Sequence, residues 1–295
     1  MIRRGINEPS ERFNMMKAEI IDVGFQPVQK TKRRSHIPSR VQPDTLFHFV
    51  SKPEYLFELL ANRAIAPRYC GEDVRFLKLK GVKKLAYPMS CFCDIGLQKL
   101  EQHMECYGFY GVAFPKEWCI ERGLQPVLYL NKDTALAKDF RQAFHAARES
   151  LDNKTSPVQD LLADYMLHQL MYYKPYQGKT KFRVDESIHK KCFADECEWR
   201  YIPDLSSTQL PVLIRDQWLI DNYLNSYCDA LSEVQEAHLS FEYKDLKYVM
   251  VETLDDFTLF LNKVESLKED GAVSEAEANH LLSKVLVWSE IKGDF

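Results

Sequence analysis

Glycine is scarce in this chain, and its scarcity excludes the commonest nucleotide-binding loops. Only 11 of the 295 residues are glycine, and none stands in the GxGxxG spacing of a dinucleotide-binding turn or the GxxxxGK spacing of a P-loop. The GxSxG elbow of the α/β-hydrolases is missing as well. These absences remove the most frequent classes of nucleotide-binding protein and serine hydrolase.

Long apolar runs are also missing. No stretch of about 18 apolar residues is present to span a bilayer, and the opening segment MIRRGINEPSERFNMMK lacks the apolar centre of an export signal. We therefore interpret the eight cysteines as reduced thiols and expect cytoplasmic localisation without membrane contact. The formal net charge of −4 is mild, so the chain as a whole is not a general binder of polyanions.

The apolar periodicity predicts an α+β fold. Residues 45–50 have strand character, and Asp94 is the predicted N-cap of a helix that ends at Gly108. From about residue 134 onward, the apolar residues recur with the period of a helix. There the apolar residues of the second predicted helix are Leu161, Leu162, Tyr165, Leu167 and Met171. Further strands are predicted at residues 86–94, 110–114, 126–130 and 198–202.

This pattern divides the chain into three predicted parts. Residues 1–40 are predicted to form a basic N-terminal arm, and residues 41–255 an α+β core with a helical insertion at about 134–190. Residues 256–295 are predicted to form C-terminal helices that pack on the core. Ser274 and Glu277 form a capping box that opens the last helix, which we expect to run to about Ile291.

A basic cluster stands in the N-terminal arm. It consists of Lys30, Lys32, Arg33 and Arg34, a density that suits contact with phosphate or with an acidic partner. We therefore name a nucleic-acid acceptor as a candidate partner of these four residues. A solvated arm that contacts nothing is the alternative.

Four potential metal ligands lie close together in the sequence, namely Cys91, Cys93, His103 and Cys106. Structural zinc sites generally use cysteine pairs separated by two or more residues, with a second such pair elsewhere. A single residue separates Cys91 from Cys93, which is the spacing of two thiols on one face of a strand. We therefore interpret them as buried thiols and predict no metal site.

His48 lies in the middle of an apolar strand, between Phe47 and Phe49. A histidine in this position is either hydrogen-bonded within the core, or held rigid so that its ring donates to a hydroxyl group of a ligand. The sequence leaves both interpretations open.

Glu196 and Glu198 form a second unusual feature, because aromatic residues and Arg200 follow them directly. If Glu198 begins a strand, the strand period of two directs the carboxylates of Glu196 and Glu198 to the same side. Adjacent carboxylates suit acid–base catalysis or stabilisation of an oxocarbenium-like centre. The structural alternative is a carboxylate paired with Arg200 or with another base.

Small and aromatic residues alternate around Ser90 and Phe92, and they recur in the segment Tyr107–Gly111. Glycines beside aromatic rings allow a flat ligand ring to approach the backbone closely. Core packing combined with a tight turn is the alternative explanation.

Several motifs occur in a fixed order along the chain. They are Phe47-His48-Phe49-Val50-Ser51, Pro67-Arg68-Tyr69-Cys70, Pro88-Met89-Ser90-Cys91-Phe92-Cys93-Asp94, Tyr107-Gly108 with Lys116-Glu117-Trp118, Pro126-Val127-Leu128-Tyr129, and Glu196 to Tyr201. In this combination they resemble the AbiGi family of bacterial abortive phage infection proteins. The resemblance covers roughly residues 45–255.

The order of these motifs is also similar to that of the ADP-ribosyltransferase fold, in which NAD lies in the cleft of a split sheet. This similarity implies a split mixed β-sheet core, NAD as the substrate, and Glu198 and Glu196 as catalytic carboxylates. Departure of nicotinamide builds positive charge on the ribose, which a carboxylate stabilises. The cofactor-binding residues implied are His48, Arg68, Tyr69, Ser90, Phe92, Tyr107 and Tyr110. The tyrosine of the His-Tyr-Glu subclass is not unique here, since Tyr69, Tyr87, Tyr107 and Tyr110 all qualify.

Two functions follow from the resemblances. The leading hypothesis is an anti-phage abortive-infection effector of ADP-ribosyltransferase type, which cleaves NAD and modifies a nucleic acid or a protein. The alternative is a non-catalytic antitoxin or regulatory partner, which binds a protein partner from a toxin–antitoxin module.

Overall fold

The computed structural model describes residues 37–153, 157–181 and 188–294, so the basic cluster of the N-terminal arm lies outside the described residues. No helix in the described part is long and apolar enough to cross a membrane. The helices are α1 (Pro53–Asn62), α2 (Glu101–Tyr107), α3 (Lys116–Glu121), α4 (Ala135–Asn153), α5 (Pro157–Tyr172), α6 (Gln217–Ser232), α7 (Leu254–Glu269), α8 (Glu275–Leu282) and α9 (Trp288–Ile291). The strands are β1 (Thr45–Val50), β2 (Ala64–Ile65), β3 (Arg68–Asp73), β4 (Lys84–Cys93), β5 (Tyr110–Pro115), β6 (Gln125–Pro126), β7 (Leu128–Leu130), β8 (Tyr173–Pro175), β9 (Gln177–Lys181), β10 (Ile188–Cys192), β11 (Glu198–Tyr201), β12 (Leu239–Ser240), β13 (Tyr248–Val251) and β14 (Val285–Val287).

One mixed sheet of eight strands organises the described chain. Its order is β14-β13-β5-β1-β4-β11-β6, and β3 pairs with β4 beside this path. Within this sheet, every pairing is antiparallel except that of β13 with β14. The predicted α+β class is therefore confirmed, with a mixed sheet and several helices.

Strand β4 changes partners along its length. On one edge, residues 84–89 pair with β3, whereas Cys93 pairs with Phe47 of β1. On the other edge, residues 90–93 pair with β11, and Ala86 bridges to Ile214. Because of this change, β1 and β11 flank the same end of β4, and the strands that carry His48 and Glu198 are near neighbours.

The two faces of the sheet differ in chemistry. Residues opposite each other in the register share a face, so Glu198 and Arg200 lie on the face of Cys93 and Cys91, which we term the Glu198 face. Trp199 and the other residues of alternate parity lie on the packed face. That face contacts the apolar side of α1, α7 and α8 and buries Leu46, Leu56, Phe92, Phe114, Phe260, Val264 and Leu281.

Two glycines let the backbone of β5 and its preceding turn approach β1. Gly108 has a φ of 115°, a conformation that side chains disfavour. A Cβ atom at Gly108 would collide with the carbonyl oxygen of Val50, and one at Gly111 with that of His48. These glycines therefore serve a tight turn and strand packing, as the structural alternative predicted.

Two elements differ from the sequence prediction. Asp94 does not cap a helix, because its carboxylate accepts a hydrogen bond from the Lys116 Nζ atom at 2.8 Å and the following turn begins with Gly96 at its N-terminus. The predicted extent of the last helix is wrong beyond Leu282, where α8 ends. The β-branched segment Val285–Val287 instead adds a parallel strand to β13, and only the short α9 follows. The Ser274–Glu277 capping box is confirmed.

Two long helices, α4 and α5, connect β7 to β8 and pack on each other. The helical period ends at Tyr172, and residues 173–181 and 188–192 form short strands instead. β9 and β10 pair only with each other among the described strands, so they form a separate two-stranded ribbon.

Candidate functional site

The two predicted carboxylates meet at one lysine. Glu196 ends a short 3-10 turn, Cys197 adopts a left-handed conformation with φ of 42°, and Glu198 begins β11. The prediction that Glu198 begins a strand is confirmed. The turn directs both carboxylates to the Nζ atom of Lys174 in β8, which contacts Glu198 Oε2 at 2.6 Å and also contacts Glu196.

Arg200 forms the buried end of this network. Its guanidinium is fully buried, and its Nε atom donates to Glu198 Oε1 at 2.7 Å. Its Nη1 atom donates to the Tyr87 hydroxyl at 2.5 Å and to the Met171 carbonyl at 2.6 Å. The structural alternative, in which Glu198 pairs with Arg200, is therefore confirmed.

Glu196 forms the outer end of the network. The hydroxyl of Tyr107, at the end of α2, donates to Glu196 Oε1 at 2.6 Å. The Nζ atom of Lys191, in β10, lies 2.8 Å from the same oxygen. These contacts tie α2, the β9–β10 ribbon and β8 to the start of β11.

The charges in the network stabilise one another. Burial opposes ionisation of Glu198, but the charges of Arg200 and Lys174 outweigh burial and lower the pKa of this carboxyl. Burial likewise opposes the charge on Lys174, but Glu198 and Glu196 raise its pKa well above the ordinary value. Both ions are therefore charged and paired at neutral pH.

Cys91 lies beside the network, on the face of the sheet that carries Glu198 and Arg200. The Cys91 side chain is exposed, yet burial raises the pKa of its thiol well above the ordinary value, and the charge of Glu198 adds to that shift. Because the raised pKa keeps the thiol protonated, Cys91 is not an activated nucleophile.

His48 bonds to the backbone of the strand beside it. Its Nδ1 atom lies 2.8 Å from the Cys91 carbonyl oxygen, which only accepts, so Nδ1 carries the proton. Burial lowers the pKa of His48, with the Cys91 hydrogen bond acting against burial. The ring is therefore neutral at pH 7, and its other nitrogen is left as an acceptor rather than as a donor to a ligand hydroxyl.

The other predicted cofactor-binding residues are not gathered at Glu198. His48, Ser90, Phe92 and Tyr110 occupy register positions of the packed face, opposite the face of Glu198. The Tyr110 hydroxyl donates to Asp256 at 3.1 Å. Phe92 packs in the apolar core, and the hydroxyl of Ser90 is buried without a partner among the described residues.

Arg68 and Tyr69 are adjacent at the start of β3, but they have different surroundings. The Tyr69 hydroxyl donates to the Pro211 carbonyl at 2.5 Å inside the core, so it serves packing. The Arg68 side chain is exposed to solvent. Of the seven predicted cofactor-binding residues, only Tyr107 contacts the carboxylate pair.

Sequence reasoning missed Lys174, which bridges both carboxylates. This lysine lies in the segment that was predicted as a helical insertion, and nothing in the sequence near it marks a buried cation. Among the described residues, no group of three or more histidine, cysteine or acidic side chains is placed to hold a metal ion.

Stability is expected to fall as the pH drops from about 6.5 toward 4, because of His103 in α2. Burial lowers the pKa of His103 to about 4, partly opposed by the charge of Glu196. The unfolded chain takes up a proton near its ordinary pKa of about 6.5, whereas the folded chain does not. The contribution of His103 is therefore complete above pH 6.5 and is lost below it. Urea unfolding midpoints at pH 7 and pH 5 measure this loss.

The variant His103→Gln, which cannot titrate, provides the control for that measurement. Its midpoint is expected to change less between pH 7 and pH 5 than that of the wild type. The contributions of Glu196 and Glu198 to stability are lost only at pH values below this range, because both carboxyl groups have lowered pKa values. An equal pH response in wild type and variant would show that His103 does not contribute.

Comparison with known proteins identifies relatives of this chain. A family model described as "abortive phage resistance protein AbiGi, antitoxin" matches residues 63–252. The abortive phage resistance protein AbiGi of Lactococcus lactis subsp. cremoris is 31% identical over 250 residues, which cover 79% of this chain and the whole of the relative. No solved structure matches this chain.

Proposed function

Since the chain belongs to the AbiGi family of abortive phage resistance proteins, we propose that it is an antitoxin that binds a toxic protein and restrains it. The description of the family names an antitoxin, which implies a protein partner. On this proposal the chain acts in phage defence by occupying a surface of the toxin, without chemistry of its own.

The observation that carries the proposal is an exposed apolar face on helix α5, formed by Leu161, Leu162 and Tyr165. Leu161 is 70% exposed and Tyr165 is 55% exposed, while Met166 and Leu167 of the same helix are buried. A helix that is apolar all round is ordinarily covered on every side. A protein partner that covers the outer face would remove this surface from water.

The state of Glu198 supports a non-catalytic role. Its two oxygens lie 2.7 and 2.6 Å from the cationic atoms of Arg200 and Lys174. A carboxylate that is already neutralised in this way adds little stabilisation to a developing positive charge. The network instead joins β8, β11 and the core at one buried point.

The second candidate is the NAD-dependent reaction, in which the chain transfers ADP-ribose or hydrolyses NAD. The position of Cys91 favours it, because this exposed residue lies on the face of the sheet that carries Glu198, and Glu196 is hydrogen-bonded to Tyr107 nearby. On this proposal Lys174 would have to leave Glu198 when the substrate enters. The residues of the packed face, Phe92 and Tyr110 among them, would then play no direct part.

Growth of bacteria that produce the toxin tests the antitoxin proposal. Co-production of this chain is expected to restore growth, and the purified chain is expected to leave NAD intact during prolonged incubation with cell extract. Chromatography of NAD and nicotinamide provides the second measurement. Nicotinamide release by the wild type that is absent from a folded Glu198→Gln variant would favour the second candidate.

A further inference from the structure

The β9–β10 ribbon carries two lysines directly opposite each other. Lys179 pairs with Lys190 in the register, and both side chains are exposed. Like charges at directly opposed positions destabilise a strand pair. Neither lysine has an acidic partner among the described residues. The ribbon therefore holds two cations close together. Their repulsion costs free energy, and a bound anion would reduce that cost.

The opposite side of the ribbon is anchored to the domain. Lys191, one position beyond Lys190, reaches Glu196 at 2.8 Å. Gly178 lies so close to the Phe193 ring that a Cβ atom there would be 2.8 Å from it. The amide of Phe193 also donates to the Tyr176 carbonyl at 2.9 Å. A two-stranded ribbon alone is marginal in water, and these contacts fix which side faces outward.

We propose that the Lys179–Lys190 face of the ribbon binds the phosphate backbone of double-stranded DNA. The major groove of B-DNA admits a two-stranded ribbon, and lysines that contact phosphate supply affinity without reading sequence. The surface fits a protein partner less well, because lysine is depleted in protein interfaces and aromatic or arginine anchors dominate them. The chain carries a net charge of −4, so the ribbon is a local cationic feature.

This site is independent of the antitoxin proposal, because it lies on a different element from α5 and needs no toxin. It also differs from the predicted contact at Lys30–Arg34. The ribbon can bind DNA whether or not that cluster does, and substitutions confined to the ribbon separate the two.

Fluorescence anisotropy of a labelled mixed-sequence duplex of about 25 base pairs tests the proposal. The full chain is titrated into the duplex between about 50 and 200 mM KCl. Each phosphate contact contributes about 0.9 to the slope of log K against log salt, so Lys179→Ala/Lys190→Ala is expected to reduce the slope by about 2. At about 0.1 M salt the same counterion term weakens binding roughly tenfold for each lysine.

Lys244→Ala, an exposed lysine outside the ribbon, is the matched control and is expected to bind like the wild type. Thermal unfolding of all variants confirms that they fold. An unchanged slope in the double variant, or no binding by the wild type at 50 mM KCl, would overturn the proposal. Loss of toxin binding in the double variant without loss of DNA binding would also overturn it, since the ribbon would then belong to the protein interface.

Discussion

Leu161→Glu/Tyr165→Glu is expected to abolish neutralisation of the toxin while the chain remains folded. Both residues lie on the outer face of α5 and are largely exposed, so charge there costs the free protein little. In a complex, the same glutamates would be buried without partners. A central apolar anchor is worth about 2 kcal/mol or more, so losing two weakens binding roughly a thousandfold. Growth of toxin-producing cells measures the loss.

A matched control comes from helix α7. Leu254 and Leu259 are also about half exposed, at 53% and 51%. The variant Leu254→Glu/Leu259→Glu is therefore expected to protect cells as well as the wild type does. Equal protection by both double variants would place the toxin contact elsewhere. A change from dimer to monomer in the α5 variant, with protection intact, would show that this face joins two copies of the chain.

Glu198→Gln is expected to lower the free energy of unfolding by about 3–5 kcal/mol. The substitution keeps the shape of the side chain but leaves the buried cations Arg200 and Lys174 without their shared counter-ion. That loss is a large part of the stability of a typical domain. Urea unfolding of the purified chain, followed by fluorescence at constant pH, measures it.

Glu72→Gln is the control for that measurement. Glu72 also contacts Arg200, but at 3.4 Å and with 22% of its side chain exposed. Its loss is expected to cost less than about 1 kcal/mol, in the range of solvent-exposed ion pairs. Combining Glu198→Gln with Lys174→Met is expected to cost less than the sum of the two single changes. A cost below about 1 kcal/mol for Glu198→Gln would contradict the structural role of the network.

The Glu198–Arg200 pair could be predicted from the sequence because its two residues are close together along the chain. Two residues apart on a strand, the side chains share a face, and that geometry holds wherever the strand lies. Lys174 was not visible, because its contact joins segments 24 residues apart. The turn at Cys197 that aims Glu196 toward Lys174 is set by packing around it, which no local pattern expresses.

The exposed face of α5 could not be predicted from the sequence either. Periodicity placed Leu161, Leu162, Leu167 and Met171 in one apolar helix, and that helix exists. Apolar residues occur around most of its circumference, so the pattern does not say which of them meet the core. The structure buries Leu167 and Met171 and leaves Leu161 and Leu162 exposed. The resemblance to ADP-ribosyltransferases, rather than any periodicity, grouped Phe92 and Tyr110 with Glu198, whereas the strand register places them on the opposite face of the sheet.

Direct binding of a toxin by this chain is the property on which the proposed antitoxin function rests. Calorimetric titration of the purified toxin into the purified wild-type chain, with NAD followed in the same sample, tests that property directly. We expect a saturable complex that is lost in Leu161→Glu/Tyr165→Glu, and an unchanged amount of NAD. Consumption of NAD without complex formation would contradict this expectation and would identify the chain as an enzyme.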